Sequence, residues 1–230
     1  MVNALCFSNR KDKAVFTVFE EFPLLSIHED KGSFIRSAMD QVKLGLGGAI
    51  LAELALLGKI KANDKHRLEL GDDSPVEDDL LGETLEILKG SEKARKFNYW
   101  INHLNQKFQN LPQEIVARLI NKEVVMQEEE HLLWVIPSPL KAESNASTKY
   151  WLIRRLRGIV LAQEEAQPRD IALLSLIKAC GLLDLVFLRD ERKLAARAIN
   201  ELVVSRAMND PIIQTIQEIE IALSAIAEED

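Results

Sequence analysis

A mainly α-helical fold, built as one globular domain, is what this sequence predicts, and three observations predict it. Ala, Leu, Glu and Lys are plentiful while the aromatic residues that favour strands make up only 6% of the chain. Apolar residues fall on helical stripes, as at Leu80, Leu81, Leu85 and Leu88 or at Ile212, Ile216, Ile219, Leu223 and Ile226. A hydrophobic fraction of 47% with 10 Gly and 7 Pro in 230 residues matches a packed globule. That length suits one large core or two small ones, and nothing forces a split, so 1–230 reads as a single domain with 1–13 and 228–230 as flexible ends. The fold expected is a buried central helical core surrounded by amphipathic helices and short β-hairpins.

The elements follow in order. AVFTVFEEFPLLSIHEDKG, with Pro23 inside it, predicts a short helix and then an extended piece. A first long helix is expected over 34–57, apolar on all sides at its centre. In DDSPVEDDLLGETLEILKG, Ser74 reads as N-cap, Pro75 as the first helical residue, Glu77 as the partner of a capping box and Gly90 as the stop. Its buried face is Leu80, Leu81, Thr84, Leu85 and Leu88. Further helices are expected over 93–108, 112–121, 148–163, 169–187 and 190–205, and a last one, capped by Asp210 ahead of Pro211, runs to 227. Two stretches, LAELALLGKIKANDKHRLELGDDSP and IVARLINKEVVMQEEEHLLWVIPSP, each read as a helix ending in a small β-hairpin and a proline, a weak internal similarity.

Composition excludes some classes of function. A formal net charge of −7 argues against a surface for duplex DNA, and no nucleic-acid partner is expected. Cys6 and Cys180 form neither a disulfide framework nor half a zinc site, which fits a reducing cytoplasm. The start of the chain lacks the apolar run of a secretory signal. The apolar stretch around GLGGAILAELALLGKI is too short to span a bilayer and carries Glu53 at its middle, so it reads as the central helix of a core.

Catalytic signatures are sought and not found, so no enzyme, cofactor or metal is expected. His28, His66, His103 and His131 are scattered and none has a ligand-pair spacing. GLGGA at Gly45 lies inside a helical pattern without a preceding strand, and reads as close helix packing rather than a phosphate loop. Glu53 has an apolar setting that would raise its pKa, or it is a buried carboxylate paired with an arginine or a backbone donor. The acids Asp72, Asp73, Glu77, Asp78 and Asp79 read more simply as a solvated first helical turn than as a cation site.

Two surface candidates remain. The second hairpin carries Leu132, Leu133, Trp134 and Val135, of which strand alternation would bury one side and leave the other outward, unless the whole strand packs on the helices. WLIRRLRG gathers Arg154, Arg155 and Arg157 with Lys149 on one helix, either a solvated basic face or an anion-binding patch.

The blocks FTVFEEFPLLSI, GLGGAILAELALLGKI, SPVEDDLLGETLEIL, NYWINHL, LINKEVVMQEEEHLLWVIPSPL and RDIALLSLIKACGLLDLVF, in that order, resemble the Golgi phosphoprotein 3 family over almost the whole chain. The resemblance implies an α-helical domain around a four-helix core, with a hydrophobic β-hairpin, here 124–136, for membrane contact and self-association. It also implies peripheral recognition of phosphatidylinositol 4-phosphate on the Golgi.

This sequence departs from the family at the head-group pocket. Alignment on ELAL puts Ala38 and Gly47 where relatives carry Trp and Arg, and the second basic pair falls near Gln109 and Pro112. Lys43 and Lys107 are the nearest substitute cations. The long basic N-terminal tail that relatives use toward coat proteins is also missing, so that role is not carried over. The expected function is therefore a non-enzymatic, cytoplasmic, peripheral membrane protein. It would meet anionic phospholipid, a phosphoinositide included, through Lys43, Lys107, Arg154, Arg155 and Arg157, with Leu132, Leu133, Trp134 and Val135 as the membrane or oligomer contact. The alternative is a soluble helical scaffold that self-associates or binds a protein partner through the same hairpin.

Overall fold

Helix α2 (Met39–Leu56) is the axis of the molecule, because from Gly45 to Ala55 its residues are buried without interruption and it must be covered on every side. A computed structural model describes residues 16–28, 33–125 and 139–229, with 139–147 as backbone alone. The cover is α1 (Val18–Leu24), α4 (Phe97–Lys107), α7 (Pro168–Ala179) and α9 (Pro211–Glu229), all packed on α2, with α9 also touching α4 and α7. Helices α2, α4, α7 and α9 therefore make the four-helix core. Outside it stand α3 (Asp79–Lys89), α5 (Leu111–Asn121), α6 (Pro139–Ala162) and α8 (Arg192–Ala207).

The three glycines of α2 let its neighbours approach. A Cβ on Gly45 would lie 2.4 Å from the Phe22 ring and 2.8 Å from Cys180 Sγ, and one on Gly48 would lie 2.6 Å from Leu223. Close helix packing is thus what GLGGA encodes. Beyond α2, β1 (Ile60–Ala62) and β2 (Leu68–Leu70) pair antiparallel with Lys61 opposite Glu69, which is the first expected hairpin. Thr215 of α9 pins it by accepting the Ala62 N–H at 2.9 Å. The last helix has the expected cap, since Asp210 accepts the Ile212 N–H at 2.9 Å.

Three local expectations are corrected. Helix α3 begins at Asp79, not at Pro75, and its cap is Asp78, whose carboxylate accepts the Leu80 and Leu81 N–H groups. Ser74 is occupied elsewhere: Lys59 donates to both its hydroxyl and its carbonyl, and its own hydroxyl donates to Asp72. The stretch expected as one helix over 169–187 stops at Ala179, because Gly181 sits at φ +70 and a 3-10 turn (Leu183–Leu185) follows. The helix expected from 93 starts instead at Phe97, since 92–96 runs along the hairpin, where Arg95 O accepts the Leu68 N–H. No helix among the described residues is long and apolar enough to cross a membrane.

Candidate functional site

Helix α4 packs on α2 and α9, and its buried stripe is Phe97, Trp100, Ile101 and Leu104. Beside that stripe, on the flank that reaches the α2 crossing and the solvent edge next to it, come Asn102, Asn105, Gln106 and, just past the helix end, Gln109. Where the two helices cross, the backbones come so close that a Cβ on Gly47 would meet Ile101 O at 2.9 Å and Asn105 Oδ1 at 2.7 Å. Asn105 fills that place: its Oδ1 accepts the Gly47 N–H at 3.0 Å and its Nδ2 donates to Leu44 O at 3.0 Å. A long basic side chain at position 47 has no room in this arrangement.

Beside the crossing opens a cavity of about 590 Å³, walled by the first turns of α2, the end of α4, the start of α5 and the end of α9. Lys43 is its one lining cation, exposed and without an ion pair among the described residues. Asp40 and Glu229 line it too, as do the amides Asn102, Asn105, Gln106 and Gln109, and Pro112. The α5 N-terminus joins the wall through Leu111 and Pro112, and its cap residue Asn110 makes no side-chain capping bond. A helix start of this kind offers partial positive charge to an anion. The cavity is therefore amide-rich, with a single positive side chain among the described residues. Amides both donate and accept, which suits a polyhydroxylated ligand, and one ammonium suits one phosphate.

The other expected site residues lie apart from it. Ala38 is buried in the 3-10 turn before α2, away from the cavity lining. Lys107 points to Glu83, 3.5 Å away, and does not line the cavity. On α6 the three arginines go in different directions. Arg155 bridges Glu21 of α1 at 3.1 Å and Asp170 of α7 at 2.7 Å. Arg157 grips both oxygens of Glu191 at 2.7 and 2.8 Å and donates to Val186 O, and this hydrogen-bonded pairing raises its pKa and lowers that of Glu191. Arg154 has no ion pair among the described residues, and its guanidinium lies 4.9 Å over the exposed ring of Trp151. Leu132, Leu133, Trp134 and Val135, like His131, fall outside the described residues.

Other groups noted in the sequence have structural partners. Glu53 meets Arg169 and the Val18 N–H. Asp72, whose pKa is lowered to about 2 by hydrogen bonds from Lys59 and Ser74, ties the hairpin to the loop before α3. Asp78 caps α3 and pairs with Arg118. Cys180 is buried and its thiol is pushed up to about 12 by that burial, which disfavours the reactive thiolate. Among the described residues no three His, Cys, Asp or Glu side chains converge as a metal site would require. Asn102, Asn105 and Gln106 are the cavity residues that a search for charge passes over. Their signal is spacing: Asn102, Asn105, Gln106 and Gln109 form an i, i+3, i+4, i+7 amide stripe.

Comparison with known proteins bears on this geometry. The profile of the Golgi phosphoprotein 3 (GPP34) family matches residues 18–219. Vacuolar protein sorting-associated protein 74 of Eremothecium gossypii is 25% identical over 177 residues, which are 68% of this chain and 51% of that protein. The chain thus spans about half the length of that curated relative.

Proposed function

From the premise that the chain belongs to the Golgi phosphoprotein 3 family, we propose that it is a non-enzymatic, Golgi-associated peripheral membrane protein whose cavity beside Lys43 takes a phosphoinositide head group. The observation that carries this reading is the cavity itself, which lies between α2 and the Gln109–Pro112 segment where the family resemblance puts the head-group pocket. Lys43 meets the phosphate, the uncapped start of α5 adds its dipole, and the amides of α4 hold the inositol hydroxyls. Asp40 and Glu229 oppose a second phosphate, so a singly phosphorylated ring is preferred over more highly charged ones.

Binding by this site alone is weak, and apolar contact strengthens it. Each side chain inserted from the hairpin contributes about 1.5–3 kcal/mol, so a lone hairpin with one exposed pair holds at roughly millimolar strength. Self-association would then add avidity of about 10²–10⁴.

Flotation with vesicles of phosphatidylcholine, alone or with phosphatidylinositol or its 4-phosphate, tests the proposal. The 4-phosphate vesicles retain the protein best, Lys43→Glu weakens retention by about tenfold or more, in keeping with one charged hydrogen bond, and Trp134→Ala weakens it on every acidic vesicle. Equal retention on all three compositions removes the head-group assignment. No retention on any of them removes the membrane role and leaves the hairpin as a protein contact.

A further inference from the structure

The chain is acidic overall, yet its cations are not evenly spread. Lys61, Lys65, Arg67, Lys93, Arg95 and Lys96 lie in two short segments, 61–69 and 92–96, against only Asp64, Glu69 and Glu92. The fold joins these segments: the backbones of Arg67 and Lys96 pair as an isolated antiparallel β-bridge, the Leu68 N–H donates to Arg95 O at 2.9 Å, and the Arg67 guanidinium donates to Ala94 O at 2.8 Å. Lys65, Lys93, Arg95 and Lys96 are exposed and have no ion pair among the described residues. The one salt bridge within the group, from Lys61 to Glu69, is long at 3.7 Å.

A recess of about 470 Å³ opens at the edge of this basic surface, between the end of α3 and the start of α4. Lys93 and Arg95 border it, with Tyr99, His103 and Trp100; Glu86 and Glu92 border it as well, Glu86 being held by Lys89 at 3.0 Å. Trp100 is only 3% exposed, and its indole N–H is buried without an acceptor among the described residues. A buried donor left unmet is costly, and such a group lining a recess asks for an acceptor from outside. Arg95 stacks 5.0 Å over the half-exposed Tyr99 ring and so presents a cation already ordered by the protein.

We propose that this recess and its basic rim bind an acidic peptide segment of a protein partner, one carboxylate or phosphorylated side chain entering beside Lys93 and Arg95 to accept the Trp100 N–H. A concave site with Trp100 in its lining fits a protruding side chain better than it fits a flat bilayer. The site is separate from the cavity beside Lys43 and does not depend on the head-group reading.

Nitrogen-15 spectra of the full chain test it through the three tryptophan indole signals, with that of Trp100 identified by its loss in Trp100→Phe. The probes are a fluorescein-labelled peptide of ten glutamates, its all-glutamine counterpart, and vesicles containing phosphatidylserine. The glutamate peptide shifts the Trp100 signal and leaves that of Trp151 in place. Lys93→Ala with Arg95→Ala weakens its binding by at least tenfold in anisotropy with the circular dichroism unchanged, and Lys43→Glu leaves it as it was. The inference is overturned if the Trp100 signal stays still at saturating peptide, if the glutamine peptide binds equally, or if the double variant binds like the unaltered chain. Vesicles that move the Trp100 signal and displace the peptide also overturn it, by making the surface a membrane contact.

Discussion

Arg169 closes on Glu53 with a nitrogen 2.8 Å from each carboxylate oxygen, and one of those oxygens also accepts the Val18 N–H at 2.6 Å. The same guanidinium donates to Phe16 O at 3.0 Å. One ion pair therefore ties α1 and α7 to the last turn of α2. Burial works against the arginine's charge, and the Glu53 carboxylate outweighs it, so its pKa stays raised. A carboxylate in the most deeply buried helix is tolerated because its charge is met by an arginine and a backbone N–H.

Removing one member of that pair should destabilise the chain strongly. Arg169→Ala leaves Glu53, whose side chain is 4% exposed, charged and unpaired, and the expected loss lies near the low end of about 3–5 kcal/mol because Arg169 itself is 30% exposed and water can partly replace it. Glu53→Leu combined with Arg169→Met loses less than Arg169→Ala alone. Urea unfolding measures both, and a loss under about 1 kcal/mol for Arg169→Ala would contradict the role assigned to the pair.

Two glycine-to-alanine changes should act in opposite directions. At Gly45 the added methyl meets Phe22 and Cys180, so Gly45→Ala is expected to lose about 1–3 kcal/mol by overpacking, despite alanine's better helix propensity. At Gly90 the backbone is ordinary, at φ −67, and the nearest atom lies 3.5 Å away, so Gly90→Ala gains about 0.4–1 kcal/mol. Thermal melts give the signs directly; a stabilised Gly45→Ala would mean that α2 and α1 are not packed as closely as described.

Glu21 should make stability fall with rising pH. Burial, more than the opposing Arg155, raises its pKa above the ordinary value of 4.5, so the folded chain binds its proton more tightly than the unfolded chain. Its protonated form therefore favours folding below pH 4.5, and that contribution is lost as pH rises from 4.5 through the folded value. Glu21→Gln removes the penalty at neutral pH while Arg155 keeps Asp170 at 2.7 Å. The variant should be the more stable one above the folded value, and the two should converge below 4.5. A stability difference independent of pH would count against this assignment.

Much of this architecture was written in local periodicity. The unbroken apolar run of α2, the leucine face of α3, the Asp210 cap of α9 and the hairpin after Gly58 each follow from residues within a turn or two of one another, where i, i+4 contacts and turn chemistry decide the outcome. The start of α3 shows where such signals become ambiguous. Ser74 and Asp78 both qualify as caps, and Asp78 takes the role because Lys59, fifteen positions earlier, holds Ser74.

By itself the sequence determined a helical domain of one core and the family it resembles. Only the tertiary structure decided which arginine meets Glu53 across 116 positions, that Asn105 occupies the space over Gly47, and that Lys43 borders the cavity while Arg155 and Arg157 are spent in ion pairs. The reason is geometric: periodicity tells which face of a helix is buried, but the partner of a charged or polar group depends on which faces cross and how closely, and here that crossing is set by glycines whose effect is the side chain they lack.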